Sequence, residues 1–311
     1  MIGRRLAQIV PVMVLATFVV FGLLQLVPGD IAVTLAGENA TDARIAQIRA
    51  SYGLDRPFLL QYLSWLWNAV HLDLSRSYLS NEPVLDQILH RFPTSLLIVC
   101  GALSLSLLIG IPLGILAAAK PRTWLDSAVT SLASLGVALP NFWLAMLLVA
   151  TFALSLNWFP ATGAVALGKD PGNAVLHAAL PAMALAAGGV AEVARQLRGA
   201  LMEILSSQYV RTLHAKGLSP AAILWKHGLK NVSVTLLTVV GLLVNRLLGA
   251  TVVVEAVFAI PGMGNLIVTA AINKDFPVVQ GVVLSMVVIV ICMNLLIDIL
   301  YSILDPRVSV K

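Results

Sequence analysis

Charged side chains are scarce in this sequence: they make up 11% of the 311 residues, whereas hydrophobic residues make up 59%. A soluble domain has about 25% charged and roughly 45–50% apolar residues. The composition therefore excludes a soluble enzyme with a single core, and it equally excludes a disordered chain. Only a bilayer can surround this much apolar surface, so we expect a protein that crosses a membrane several times.

The motifs of soluble catalysis are missing as well. There is no phosphate-binding G-x-x-x-x-G-K-[ST] loop and no HExxH, GxSxG or paired-cysteine motif, and the five histidines are dispersed. Cys100 and Cys292 both lie in apolar runs, which does not indicate a disulfide framework. We therefore expect no catalytic residue, no metal site and no cofactor bound by this chain. The net charge of +5 indicates basic membrane-protein loops rather than nucleic-acid binding.

Six apolar runs are long enough to cross about 30 Å of hydrocarbon as helices. Pro140 lies in the third run and Pro181 in the fourth, which is tolerated where neighbouring helices satisfy the freed carbonyl. Small residues in the runs, among them Gly110, Gly114 and Gly249, are predicted to permit close helix packing. The fold class is thus an all-α polytopic membrane protein with six transmembrane helices. The runs are 9–27, 96–119, 129–156, 174–193, 232–258 and 278–301.

Lysine and arginine residues orient the predicted bundle, because cytoplasmic loops carry an excess of them. With both termini in the cytoplasm, the two short outer loops hold only Lys169 and Lys274. The first run is longer than a signal-peptide core, so it is interpreted as an uncleaved anchor. The basic residues then placed in the cytoplasm are Arg4, Arg5, Lys120, Arg122, Arg195, Arg198, Arg211, Lys216, Lys226, Lys230, Arg307 and Lys311.

The chain is predicted to consist of a transmembrane helix (1–27), an extracytoplasmic loop subdomain (28–93), a transmembrane domain (94–304) and a cytoplasmic tail (305–311). Within the outer loop, residues 43–52 and 58–70 have helical patterns, the second with several aromatic residues. This loop either packs on the rim of the bundle or forms a cap that meets a partner or substrate.

The cytoplasmic loop 206–230 has an organised pattern of two helical stretches separated by a break. Gly217 permits a tight turn, Ser219 is placed to cap a second helix, and Pro220 suits the first position of that helix. A basic loop alone would simply follow the positive-inside rule or contact anionic lipid. The helix–turn–helix construction instead favours docking into a groove of another protein.

This loop resembles the EAA loop of ABC importer permeases, and its A-K-G-L-S core resembles the dipeptide, oligopeptide and nickel permease family. His214 departs from the acidic residue that gives the loop its name. Other stretches resemble the same family in the same order along essentially the whole chain. They are V-P-G-D at 27–30, L-P-N-F at 139–142, W-F-P-A-T-G at 158–163, V-V-E to F at 253–258, P-G-M-G at 261–264, V-Q-G at 279–281 and D-I-L-Y-S-I-L-D-P-R at 298–307.

The resemblance implies a type I ABC importer permease fold and a set of partners. These are a homologous second permease chain forming a heterodimer, two ATPase subunits that carry ATP and magnesium, and an extracytoplasmic substrate-binding protein. It further implies a bacterial plasma (inner) membrane location and no enzymatic activity in this chain. The residues assigned to ATPase coupling are Arg211, His214, Ala215, Lys216, Gly217, Leu218, Ser219 and Pro220.

Three polar residues in the fifth run are candidates for the translocation pathway: Asn245, Arg246 and Glu255. An arginine inside a membrane span is costly unless it faces water or a partner. Arg246 either lines the pathway and attracts a peptide carboxylate, or forms a structural pair with a carboxylate of another helix or chain. Glu255 lies nine residues further on, about half a turn out of phase, which argues against a pair within the helix.

Two other classes of protein remain as alternatives. An ion-gradient-driven secondary transporter would show inverted repeats and acidic residues near the middle of the membrane, and this sequence has few central acids. A membrane enzyme would need a catalytic constellation that the sequence lacks. Among cargoes, similar frameworks carry dipeptides, longer peptides, nickel chelates and haem, and we favour peptides.

Overall fold

The computed structural model describes residues 2–26, 30–37 and 40–304, with side chains described from Val10 onward. Within these ranges the chain is helical and has no β-strand, which confirms the all-α class. The predicted tail 305–311 and residues 27–29 of the V-P-G-D stretch lie outside the described residues. The helices are α1 Ile2–Gln25, α2 Ile31–Ala36, α3 Asp42–Ser51, α4 Phe58–Val70, α5 Val84–Ala119, α6 Trp124–Ala138, α7 Asn141–Leu148, α8 Pro171–Leu205, α9 Gln208–Ala215, α10 Pro220–Ala222, α11 Leu229–Val257, α12 Met263–Ile272 and α13 Phe276–Leu304.

Two π-helical segments extend these helices: Val149–Ser155 continues α7, and Ile223–Gly228 joins α10 to α11. Four of the described helices are long and apolar enough to cross a bilayer, namely α5, α8, α13 and the 38-residue helix Pro220–Val257. The pair α6 and α7 passes the same test only together, while the described part of α1 is a shorter apolar helix. Within the described residues, each of the six predicted runs lies mostly on helix, but the number of spans and the side of the termini stay predictions.

The prediction of one continuous third run is wrong. Trp124–Ala138 and Asn141–Ser155 are bent by 98° relative to each other, as in a broken span or a re-entrant loop. The break falls at Leu139 and Pro140, both of which have extended backbone conformations. Proline has no N–H for the helix ladder, and its ring disfavours a helical conformation in the residue before it.

The chain divides into two compact units. The first comprises Met1–Pro93 and Gly262–Ile291, and its helices α3 and α4 confirm the predicted helical patterns in the outer loop. Its core contains aromatic contacts between α1 and α4, where the ring of Phe21 lies 5.5 Å from that of Tyr62. The Tyr62 hydroxyl donates a hydrogen bond to the Val14 carbonyl at 3.0 Å. These contacts hold α4 against α1.

The second unit comprises Thr94–Pro261 and Cys292–Lys311, and in it α8 packs against α6, α7 and α11. Helix α5 approaches α8 at its glycines: a Cβ added at Gly114 would lie 2.9 Å from the Ala194 carbonyl oxygen, and one at Gly110 would lie 2.9 Å from the Val193 Cβ. The predicted packing role of these two glycines is confirmed. A Cβ at Gly249 would meet no atom of the described residues within 4 Å, so they do not show the predicted packing role for this glycine.

Candidate functional site

The first helix of the coupling loop (residues 206–230) is fixed by local capping. The Ser207 hydroxyl oxygen accepts a hydrogen bond from the Val210 amide at the start of α9. At the other end, the amide of Gly217 donates to the His214 carbonyl at 2.9 Å, and the amide of Leu218 donates to the Leu213 carbonyl at 3.2 Å. These bonds satisfy groups that a helix end leaves without partners.

The turn after α9 has the conformation that the sequence predicts. Gly217 adopts a φ of +79°, a left-handed value that residues with a Cβ rarely take. The Ser219 hydroxyl oxygen then accepts a hydrogen bond from the Ala222 amide at 3.3 Å, and Pro220 occupies the first position of α10. The end of α9 and the start of α10 are thus both determined by residues 217–220.

The expectation of a second short, separate helix is wrong. From Pro220 the chain continues without a break to Val257 as one long helix, with π-helical turns at Ile223–Gly228. No proline interrupts residues 221–257, so nothing in the sequence ends the helix there. Pro220, at the end of the turn, is therefore joined to α11 by continuous helix. The sequence analysis also missed Trp225, whose side chain is 61% exposed on this helix.

The coupling loop has a buried interior and an exposed polar surface. Val210, Leu213 and Ile223 form a buried apolar cluster, against which Leu218 packs. The Tyr209 hydroxyl lies 2.9 Å from Nδ1 of His227, a hydrogen bond that joins α9 to the π-helical turns. The loop is thus a packed body rather than a flexible connector. All eight residues assigned to coupling are exposed except Leu218, which is half-buried.

The basic residues near the loop fall into two groups. Arg198 on α8 forms an ion pair with the buried Asp126 at the start of α6, with an Nη2–Oδ2 distance of 2.8 Å. Asp126 also accepts a hydrogen bond from the Arg122 amide at 2.9 Å. Arg198 therefore fastens α8 to α6. Within the described part of the chain, the other group forms no ion pair and leaves its charge available to a partner. Its members are Arg211, Lys216, Lys226 and Lys230.

Arg246 lies in the middle of α11 on an exposed stripe with Leu242, Gly249 and Val253. Its Nη2 donates one hydrogen bond to the Gly188 carbonyl of α8 at 3.3 Å, and it forms no ion pair with any described residue. The structural-pair alternative therefore has no partner among the described residues of this chain. A guanidinium on a lipid-facing position would cost about 2.5–3.5 kcal/mol.

Asn245 and Glu255 occupy different surroundings from Arg246. Asn245 Nδ2 donates to Oδ1 of Asn294 at 3.4 Å, and its own Oδ1 is buried with no hydrogen-bond partner among the described residues. Glu255 is fully buried and accepts a hydrogen bond from the Ser95 hydroxyl. The structure thus places Arg246 and Asn245 next to each other and Glu255 inside the unit. The Ser95–Glu255 contact joins residues 160 positions apart, and no sequence signal indicated it.

Comparison with known proteins identifies the class. Residues 110–310 match the family described as "Binding-protein-dependent transport system inner membrane component", and residues 1–99 match the N-terminal family of the same components. A chain of the MetNI methionine ABC transporter, solved in inward-facing conformations, superposes with a TM-score of 0.59 at 19% identity. The match covers 72% of this chain and 99% of that chain, which shows a shared fold.

This chain belongs to the family of binding-protein-dependent inner membrane transport components. A peptide transport system permease protein of Brucella abortus (strain 2308) is 40% identical over 308 residues, covering 99% of this chain and 98% of the relative. The oligopeptide permease AppB of Bacillus subtilis is 34% identical over 309 residues, with 98% of each chain covered. The dipeptide permease DppB of Escherichia coli (strain K12) is 34% identical over 332 residues, with 99% of this chain and 98% of the relative covered.

Two predictions are thereby confirmed: the chain is an ABC importer permease, and it is a multi-pass protein of a bacterial plasma membrane. The comparisons support this class over the ion-gradient-driven transporter.

Proposed function

We propose that this chain forms one half of the transmembrane pathway of an ATP-driven importer that carries short peptides into the cytoplasm. The observation that carries the choice of cargo is near-complete coverage of relatives named as peptide, oligopeptide and dipeptide permeases. A substrate-binding protein outside the membrane delivers the peptide, as the description of the family implies.

The proposed assembly contains a second, homologous permease chain and two ATPase subunits. Each permease has six spans with both termini in the cytoplasm. ATP and magnesium are bound by the ATPase subunits, since this sequence has no phosphate-binding loop. The exposed stripe around Arg246 supports a second permease chain, because an arginine within a span requires water or a protein partner.

The coupling loop transmits the ATPase motion as a rigid body. When ATP closes the two ATPase subunits, the surface formed by α9 and Gly217 moves with them. Because Pro220–Val257 is continuous, that motion passes into α11 and switches the bundle between two packings. The unpaired cations of the loop, among them Arg211 and Lys216, dock on an acidic groove of the ATPase subunit.

Arg246 and Asn245 line the pathway between the two permease chains. The guanidinium attracts the C-terminal carboxylate of a passing peptide, since charge-assisted hydrogen bonds are strongest where water is excluded. The weak 3.3 Å hydrogen bond to the Gly188 carbonyl holds Arg246 only loosely and leaves its other N–H groups available to the peptide.

Reconstitution tests this function. The chain is purified with the subunits encoded beside it, placed in liposomes, and assayed for uptake of labelled dialanine. We expect uptake that requires both the binding protein and ATP on the cytoplasmic side, with no ion gradient present. Uptake by this chain alone that follows a proton gradient would contradict the proposal and support the secondary transporter.

A further inference from the structure

A cavity of about 600 Å³ lies within the first unit. It is half open and is lined by the end of α1, the α3–α4 turn, one side of α4, the loop 75–81 and the start of α13. Its volume is in the range of about 300–1,000 Å³ that small-molecule sites occupy. In the predicted topology, the loop residues that line this cavity lie outside the membrane.

The charge of the cavity is positive. Three arginines line it, and Asp30 is the one carboxylate among its described lining residues. Arg49 forms an ion pair with Asp30, which lies at the start of α2. Arg76 donates a hydrogen bond to the Asn81 carbonyl at 2.8 Å, and neither Arg76 nor Arg56 forms an ion pair with any described residue. Two guanidinium groups thus remain available to an anion.

The cavity also offers aromatic surface and hydrogen-bond donors. Trp65 lines it and is 7% exposed, and its indole Nε1 is buried without a hydrogen-bond partner among the described residues. Trp65 therefore offers ring surface to the cavity, because an N–H with almost no accessible area does not reach a ligand there. Burial, together with the nearby Asp275 and Tyr52, raises the pKa of Tyr78 to about 12, so its hydroxyl stays protonated and can donate a hydrogen bond at neutral pH.

One wall of the cavity is held by buried polar contacts. Asp275, which is 4% exposed, accepts hydrogen bonds from the Ser77 hydroxyl and, at 3.0 Å, from the Tyr78 amide. The Ser77 oxygen in turn accepts from the Ser80 amide at 3.0 Å. The rings of Tyr52 and Tyr78 meet edge to face at 4.8 Å. This wall is therefore formed before any ligand arrives, which reduces the entropy cost of binding.

We propose that this cavity is a second peptide-binding site, in which Arg56 and Arg76 bind the C-terminal carboxylate of a short peptide and the ring of Trp65 packs against the peptide. The proposal rests on the proposed peptide cargo. An inorganic anion would contact the arginines but not the aromatic wall. A short peptide has a carboxylate for the arginines, carbonyl acceptors for the hydrogen-bond donors and side chains for the aromatic wall. The site would hold a peptide outside the membrane before it is transported.

Equilibrium dialysis tests the proposal on the purified complex, without ATP and without the binding protein. The probe is labelled dialanine, compared with its C-terminal amide, and all proteins carry Arg246→Gln so that the pathway residue does not contribute. Loss of a charge-assisted hydrogen bond weakens binding by about tenfold or more. We therefore expect the double variant Arg56→Gln, Arg76→Gln to raise the Kd of dialanine at least about tenfold, and the amide to bind similarly weakly to the unchanged cavity.

Two further variants separate charge from folding. Trp65→Leu removes the aromatic ring from the wall of the cavity, and is expected to raise the Kd of dialanine several-fold. Arg44→Gln is the matched control, because Arg44 is an exposed arginine of α3 that contacts Gln47 and does not line the cavity. It should leave the Kd unchanged.

Equal Kd values for dialanine and its amide, or an unchanged Kd in the double variant, would overturn the site. If the double variant lowered uptake only through weaker binding-protein association, with dialanine binding intact, the cavity would be a protein-docking surface and the proposal would be wrong. Neither result would affect the proposed function, which is tested by uptake in the unmodified complex.

Discussion

Replacing Gly217 with valine should uncouple ATP hydrolysis from transport. The φ of +79° at this position costs a residue with a Cβ about 1–2 kcal/mol, and a β-branched residue more. A Cβ at this position would meet no atom of the described residues within 4 Å, so backbone strain is the main cost that the structure shows. A cost of about 1–2 kcal/mol lowers the population of the native turn about 5- to 30-fold. We expect peptide-stimulated ATPase activity to fall by a similar factor, and uptake to fall further than total ATP hydrolysis, so that fewer peptides are carried per ATP.

The graded series and its control make the test specific. Gly217→Asn should retain most activity, since asparagine tolerates the left-handed region better than alanine or valine. Gly163 is the matched control, because its φ is +82° and it also has open space around its Cβ position. Gly163→Val imposes the same kind of strain outside the coupling loop, and should lower stability without changing the ratio of uptake to ATP hydrolysed. If Gly217→Val reached the membrane at normal abundance and still coupled uptake to ATP hydrolysis normally, the coupling loop would not transmit the ATPase motion as proposed.

Three other predictions follow from individual contacts. Gly114→Ala should destabilise the purified chain by about 1–3 kcal/mol, because its Cβ meets backbone of α8, whereas Gly199→Ala, with open space around it, should not; melting temperatures decide. The folded chain holds the Tyr78 proton more tightly than the unfolded chain does, because its pKa is raised to about 12. The free energy of unfolding should therefore be unaffected by this group below pH 10 and fall by up to about 1.4 kcal/mol per pH unit between pH 10 and 12. In unfolding measurements, Tyr78→Phe should lose that pH dependence. Arg246→Gln should reduce uptake of dialanine about tenfold more than uptake of its amide; an equal loss for both would exclude carboxylate recognition.

The features that could be predicted from the sequence are those fixed by interactions between residues close together in the chain. The capping serine, the proline and the glycine of the coupling loop act within a few residues of one another, so their conformations follow from their identities. The same holds for the helices, because long apolar runs in a bilayer must satisfy their backbone groups internally. Helix α4 was predictable in its limits, although nothing in its sequence indicated that Trp65 would line a cavity with Arg56 and Arg76.

Prolines show where local chemistry is insufficient. Pro140 and Pro181 each remove one helical N–H, yet the chain bends by 98° at the first and remains one helix through the second. The residue before Pro181 is Leu180, which is 1% exposed and packed in the core of the second unit, whereas the residue before Pro140 is Leu139, which is 36% exposed. Core packing therefore holds the helix through Pro181, and no comparable contact opposes the break at Pro140. The two prolines differ in their tertiary contacts, which the sequence does not show, so the sequence predicted the same behaviour for both.

The exposed stripe of α11 likewise has a composition that contacts within this chain do not explain. Arg246 and Leu242 lie on one exposed stripe with Gly249, and Asn245 beside it keeps a buried oxygen without a partner among the described residues. Lipid would satisfy the leucine but neither the arginine nor the amide, and a glycine with open space around it permits another backbone to come close. One surface with these three properties suits a second permease chain on one side and a hydrated pathway on the other. The stripe is therefore where we expect a chemical cross-linker to join this chain to the proposed second permease chain: a cysteine at Gly249 should form such a link, and a cysteine at the exposed Leu108 of α5 should not.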